Sequence, residues 1–209
     1  MHIVFEGLSF TGKTTQAKQL IECLEEEGKH VVYNKSAPAK EKFTGKLIKA
    51  VSAFEGFPPN LKEELYGIDM IVDHLDIRRQ LIGNNTTIIQ DRSLVSFLSF
   101  NAAYHTKRPL VIRGLLNGSQ PPYFRPDFLF YLEASKEERI RRMESAKKER
   151  QISDLEFEEV YSGQDRRIYQ NMIQYLERLE NVVPIDTNNK TIDEISQEIY
   201  LHVKNGKEI

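Results

Sequence analysis

The sequence predicts an α/β fold: five parallel strands with helices on both faces and a short lid. Three observations carry that expectation. Short apolar runs alternate with longer amphipathic runs through the whole chain. A glycine-rich turn joins the first strand to the first helix. The length, 209 residues, suits one sizeable domain rather than two, so a single domain over 1–209 is expected.

The elements follow in order. "HIVFEG" reads as a short buried strand. In "KTTQAKQLIECLEEEG", Ala17, Leu20, Ile21 and Leu24 fall at helical spacing, and Gly28 suits a helix end. "HVVYN" is a second strand, and a long amphipathic helix spans Asn60 to Ile82. "TTIIQ" is a third strand ending at Asp91, and "DRSLVSFLSFNAAYH" begins an apolar helix. "DFLFYLE" is a fourth strand, its entry stiffened by Pro121, Pro122 and Pro126. "SKEERIRRMESAKKER" is a helix running into a basic segment, and "DLEFEEVYSGQDRRIYQNMIQYLERLE" is one long helix. "NVVPID" and "TIDEISQEIYLHVKN" close the chain as strand and helix.

Composition excludes several classes. A net charge of −2 gives no bulk attraction for nucleic acid. Cys23 is the only cysteine, so no internal disulfide forms, and a reducing cytoplasm fits best. No apolar run approaches the ~20 residues of a membrane span, and the start lacks the pattern of a secretion signal.

Gly7, Gly12, Lys13 and Thr14 match GxxxxGK[ST] between a strand and a helix. Glycines let several backbone N–H groups face one anion, and the helix N-terminus adds its positive end. Gly7, Ser9, Phe10, Thr11, Gly12, Lys13, Thr14 and Thr15 are therefore the candidate phosphate-binding set. Lys13 can reach the β- and γ-phosphates, and the Thr14 hydroxyl can ligate Mg²⁺. These features indicate a P-loop NTPase fold and point to ATP.

Asp91 and Arg92 end the third strand, where ligands of open parallel sheets bind. Asp91 can hold Mg²⁺ through water or orient the attacking oxygen. Arg92 offers a planar fork to a phosphate. A structural ion pair capping the next helix is the plainer alternative.

"FEGLSFTGKTTQ", "DRS", "PDFLFYLEASKEERIRR" and "DLEFEEV", in that order, resemble the thymidylate kinases over nearly the whole chain. The resemblance implies transfer of the ATP γ-phosphoryl group to a nucleoside monophosphate, usually dTMP, with Mg²⁺. It also implies a homodimer with a lid, here about 143–154. The composition itself shows no dimer face.

Residue by residue, the resemblance implies that Arg92 contacts the acceptor phosphate and that Lys35 keeps a positive charge beside it. Tyr66 falls where an aromatic stacks on the base, although an aromatic in an amphipathic helix is as readily core. Phe100 and Asn101 stand for the Tyr-Gln pair lining the base pocket, and the Asn101 amide can read a base edge. Three positions depart. Ser9 replaces an acidic residue that touches the sugar 3′-hydroxyl, Met70 an arginine aimed at the thymine carbonyl, and Ser93 a Tyr or His. Lost polar contacts of this kind change selectivity strongly.

The transferring group needs positive charge around it. The loop has no arginine at positions 8 to 11, whereas Arg139, Arg141, Arg142, Lys147, Lys148 and Arg150 cluster in one segment. In family members without a loop arginine the lid supplies one. Arg142 and Arg150 are the candidates, with Lys147 or Lys148 as helpers. The plainer alternative is a solvated face paired to Glu137, Glu138 and Glu144.

His74 and His105 read as ordinary structural or surface histidines, and Asp165-Arg166-Arg167 as a surface ion pair, with Arg166 or Arg167 reaching the acceptor phosphate as the alternative. Glu6 bonds local backbone or polarises the site. Two other functions stay open: a deoxynucleoside kinase, and a nucleotide-binding module without kinase activity. A nucleoside acceptor needs a base for its 5′-hydroxyl, and Lys35-Ser36 stands where that carboxylate is expected.

Overall fold

The computed structural model describes residues 1–35, 43–53, 58–82, 85–104 and 125–206. His105, Pro121, Pro122 and the segment after Lys35 that includes Ser36 lie outside them.

Every residue of β1 (His2–Glu6) is buried, as a central parallel strand requires. It is followed by α1 (Lys13–Glu26), β2 (His30–Lys35), α2 (Phe43–Ser52) and α3 (Pro59–Leu81). Then come β3 (Thr86–Asp91), α4 (Leu94–Tyr104), β4 (Phe128–Glu133) and α5 (Lys136–Ala146). The chain continues through α6 (Asp154–Tyr161), α7 (Gln164–Leu176), β5 (Val182–Asp186) and α8 (Ile192–Asn205). The five strands pair in parallel in the order β2-β3-β1-β4-β5, as the alternating pattern predicts.

Side chains alternate across the sheet. Ile3 and Phe5 pack with Ile89, Phe130, Leu132 and Ile185 against Ala17, Leu20 and Leu24 of α1 and Ile195, Ile199 and Val203 of α8. On the other face Val4, Leu129 and Tyr131 meet Val95 and Ala103 of α4 and Ile168, Met172 and Leu176 of α7. Removing a buried ring such as Phe5 costs about 3–5 kcal/mol. Two packed faces thus fix the carboxyl ends of β1 and β3 side by side. Phe5 lies opposite Asp91 in that register.

Three expectations need correction. The long helix after the basic segment is two helices. Ser162 ends α6, and Gly163 takes a left-handed φ of 78° as the N-cap of α7. Ser153 and Glu156 close a reciprocal capping box that starts α6. The apolar helix begins at Leu94, because Arg92 has φ 69° and cannot continue a right-handed turn. In addition, α2 forms where no element was expected. No helix among the described residues is long and apolar enough to cross a membrane.

Candidate active site

The switch strand β1 feeds directly into the phosphate loop. Gly7 has φ 140°, and a Cβ there would stand 2.4 Å from the Leu132 carbonyl oxygen and 2.9 Å from Thr11 Oγ1. Gly12, with φ 100°, turns the chain into α1. The Thr11 hydroxyl donates inward to the Leu8 carbonyl at 2.9 Å. Lys13 Nζ donates to the same carbonyl at 2.5 Å. Burial, together with the nearby Arg92 guanidinium, lowers the Lys13 pKa to about 7, against the opposing pull of Asp91, Glu159 and Glu6. Thr15 lies exposed one residue beyond Thr14.

Asp91 ends β3 buried. Its Oδ2 accepts from Thr14 Oγ1 at 2.5 Å and from the Tyr33 hydroxyl at 3.1 Å. Its Oδ1 is buried with no hydrogen-bond partner among the described residues. A hydroxyl and a carboxylate with an unused oxygen are hard donors of the type Mg²⁺ prefers, so these residues fit that ion. Burial and the Asp91 charge push the Tyr33 phenol upward, so it remains a neutral donor.

Arg92 follows at once, its backbone N–H bonded to Phe5 O at 3.0 Å. Its guanidinium reaches Ser9 Oγ at 3.1 Å, Ser96 Oγ at 3.2 Å and Gly7 O at 3.4 Å. It also lies 5.4 Å from the Phe100 ring centroid. Arg92 is therefore a bridge from the phosphate loop to α4. Glu6 organises this corner. Fully buried, it accepts from Ser93 N at 2.7 Å, Ser93 Oγ at 2.5 Å, Ser96 N at 3.2 Å and Ser96 Oγ at 2.5 Å.

Ser9 is joined to a residue the sequence reading did not single out. Its N–H and Oγ donate to the two oxygens of buried Glu159 on α6, each at 2.5 Å. A carboxylate stands beside the loop after all, delivered from 150 residues away. The "DLEFEEV" stretch contained it, but no local spacing ties it to Ser9.

The basic segment divides. Arg139 is buried and pairs with Asp165 at 3.1 Å, while its Nε and Nη1 have no partner among the described residues. Asp165 is thereby part of a staple between α5 and α7 rather than a surface pair. Arg141 is exposed and grips Glu138. Arg142 binds Glu138 at 2.7 Å, Thr187 O at 2.7 Å and Thr187 Oγ1 at 3.1 Å, and it comes within 3.4 Å of Phe10 O. Lys147 pairs with Glu144 and faces Phe157, 5.3 Å from its centroid. Arg150 bonds Glu156 at 2.7 and 3.1 Å and lies 5.8 Å from the Phe10 ring centroid.

On the acceptor side, Lys35 is exposed in register with Asp91. Tyr66 and Met70 lie half-buried one turn apart on α3. Phe100 is half-buried, and Asn101 is buried beside it on α4. Of these, the structure brings Phe100 into direct contact with Arg92.

A parallel sheet with a phosphate loop on its switch strand, and an Asp-Arg pair on the neighbouring strand, defines a P-loop nucleotide phosphotransferase. Comparison with known proteins narrows the class. The thymidylate kinase family model matches residues 5–199. The probable thymidylate kinase of Methanococcus aeolicus is 28% identical over 94% of this chain and 92% of its own length. The thymidylate kinase of Prochlorococcus marinus strain NATL2A is 27% identical over 97% of both. The solved thymidylate kinase of Candida albicans, described for its broad substrate specificity, superposes with a TM-score of 0.66 at 19% identity. That match covers 99% of this chain and 92% of the yeast chain, and it supports the fold. The chain belongs to the thymidylate kinase family, whose members are ATP-dependent nucleoside monophosphate kinases.

Proposed function

We propose that the protein transfers the γ-phosphoryl group of ATP to dTMP, giving dTDP. The observation that carries this reading is the placement of Arg92, which spans from Gly7 and Ser9 of the loop to Phe100 on the acceptor side. One fixed cation there faces both phosphate chains. The acceptor phosphate is already ionised, so no general base has to be found, and exposed Lys35 suits it better than a hydroxyl.

In this reading Lys13 and the loop N–H groups hold the β- and γ-phosphates. Thr14 and Asp91 would hold Mg²⁺, which would supply charge neutralisation when bound. Arg92 orients the acceptor phosphate for in-line attack. Arg142, committed to Thr187 and Glu138, lends charge from a fixed position. Arg150, the more exposed, follows the transferring group. Tyr66 stacks on thymine, Asn101 reads its edge, and Met70 and Phe100 close the pocket. The Ser9–Glu159 pair serves the sugar 3′-hydroxyl in place of an acidic loop residue.

The enzyme acts as a homodimer in the cytoplasm. Leu61, Ile68, Leu75 and Ile82 recur every seven residues along α3 and its C-cap, exposed by 48%, 41%, 58% and 74%. A seven-residue apolar stripe fits the seam of a second helix, and the resemblance makes a second copy of this chain its occupant.

The test is ADP release from Mg²⁺-ATP against dTMP, dUMP, UMP, dCMP, dGMP, thymidine and deoxycytidine. The expected response is led by dTMP. Nucleosides alone responding would make the protein a deoxynucleoside kinase. Silence across the panel would make it a nucleotide-binding module.

A further inference from the structure

Both lid arginines meet the phosphate loop at Phe10. The Arg150 guanidinium lies 5.8 Å from the Phe10 ring centroid. Arg142 Nη1 comes within 3.4 Å of the Phe10 carbonyl. Phe10 itself holds φ 66°, a left-handed conformation seldom adopted by a bulky side chain. A glycine would fit that backbone without penalty. Here the position carries a half-buried ring instead.

The other contacts of Arg150 reach the loop only indirectly, through α6. Glu156 grips it at 2.7 and 3.1 Å, and Gln151 O accepts from it at 3.1 Å. Both partners follow Arg150 closely in the chain, and Glu156 sits one turn before Glu159, which bonds Ser9 of the loop. Glu156 in turn is fixed by the capping box, accepting from Ser153 N at 3.1 Å and Ser153 Oγ at 2.9 Å. Among the described contacts of Arg150, Phe10 is the one that belongs to the phosphate loop.

We propose that Phe10 is a positioning residue of the lid: its ring is the platform that holds the Arg150 guanidinium over the phosphate loop, aligned for the transferring group. This rests on the reading of Arg150 as the arginine that follows that group. An aromatic face suits the task because it attracts a guanidinium without neutralising it. A carboxylate at position 10 would compete with phosphate for the same cation.

The experiment is a double-variant cycle on the full-length enzyme with saturating Mg²⁺-ATP and dTMP. Phe10→Leu keeps an apolar side chain with the same backbone demand and removes the π face. It lowers kcat about two- to fivefold, the size of one partly exposed cation–π contact, and leaves both KM values nearly unchanged. In the Arg150→Met background the same substitution has no further effect. Phe10→Tyr, which restores an aromatic face, recovers most of the loss. Equal losses in both backgrounds, a change confined to the KM for ATP, or a loss in Phe10→Tyr equal to that in Phe10→Leu would each overturn the platform role alone. A normal kcat for Arg150→Met would overturn the underlying reading of Arg150, and the platform role with it.

Discussion

Ser9 Oγ donates to Glu159 Oε2 at 2.5 Å and accepts from Arg92 Nη2 at 3.1 Å, so one hydroxyl joins α6, the phosphate loop and Arg92 at the end of β3. Glu159 is a buried carboxylate, and both its oxygens are spent on Ser9 in this state. A sugar hydroxyl arriving beside Ser9 can share that carboxylate. In the proposed reading, the acid beside the sugar would come from α6 rather than from the loop.

If Glu159 serves the sugar, Glu159→Gln should raise the KM for dTMP about tenfold, the cost of weakening one charge-assisted hydrogen bond. The KM for ATP should stay within about twofold. Preference for dTMP over its 3′-deoxy analogue should shrink in parallel. Steady-state kinetics with both acceptors measures this. A variant changed only in its KM for ATP would remove Glu159 from the acceptor side.

Lys13 makes nucleotide binding dependent on pH. Its pKa is lowered to about 7 in the ligand-free protein, chiefly by burial. A polyphosphate beside it favours the charged form, so the bound pKa is higher. Between those two values, binding takes up a proton. Affinity for ADP should thus fall as pH rises above about 7, by up to about tenfold per unit, and this group adds no dependence below that. Calorimetry from pH 7.5 to 9 in buffers of different ionisation enthalpy reads the uptake directly. Lys13→Met should bind more weakly with a flatter profile. Identical slopes in the two proteins would assign the proton elsewhere.

The parts of this site legible in the sequence are those held by short spacing. Gly7 to Thr14 lie in one short stretch, and Asp91-Arg92 end a strand, where open parallel sheets bind their ligands. Glu159 and Tyr33 were not legible, since each meets its partner through tertiary packing across 150 and 58 positions. Arg139 was hidden by composition. Among so many basic residues its inward position shows only in its spacing from Met143, one turn on along the same buried face. The helix break at Gly163 was masked because Val160, Ile168 and Met172 keep helical period across it. An isolated glycine costs a helix only about 1 kcal/mol, too weak a signal against that pattern.

Asp91 Oδ2 carries both Thr14 and Tyr33, which leaves Oδ1 for a cation. Asp91→Asn should raise the Mg²⁺ concentration for half-maximal ADP binding by about tenfold or more, since a charge is lost beside the ion. Tyr33→Phe should raise it by about two- to fivefold, the value of one orienting hydrogen bond. ADP affinity without metal should hold steady in Tyr33→Phe. Titration of ADP binding at fixed Mg²⁺ concentrations checks both. Equal metal dependence in Tyr33→Phe and the parent would leave the phenol without a part in aligning Asp91.

The α3 stripe makes the last prediction. From Leu61 to Ile82 it runs about 30 Å at helical rise, long enough for a helix–helix seam. Its four large apolar side chains are all more than 40% exposed, although the same helix buries Ile77 against the core. One face of α3 therefore belongs to the fold, and the other presents the exposed stripe. A charge in the middle of that outer face would be desolvated by a second copy and solvated in a monomer. Leu75→Glu, and separately Ile68→Glu, should halve the mass seen by sedimentation equilibrium while each folded chain keeps its helical content. Both side chains are exposed in the single chain, so neither change should lower its intrinsic stability by more than about 0.5 kcal/mol. An unchanged dimer mass in both variants would place the interface on another face, and a monomeric parent would leave the stripe without its partner.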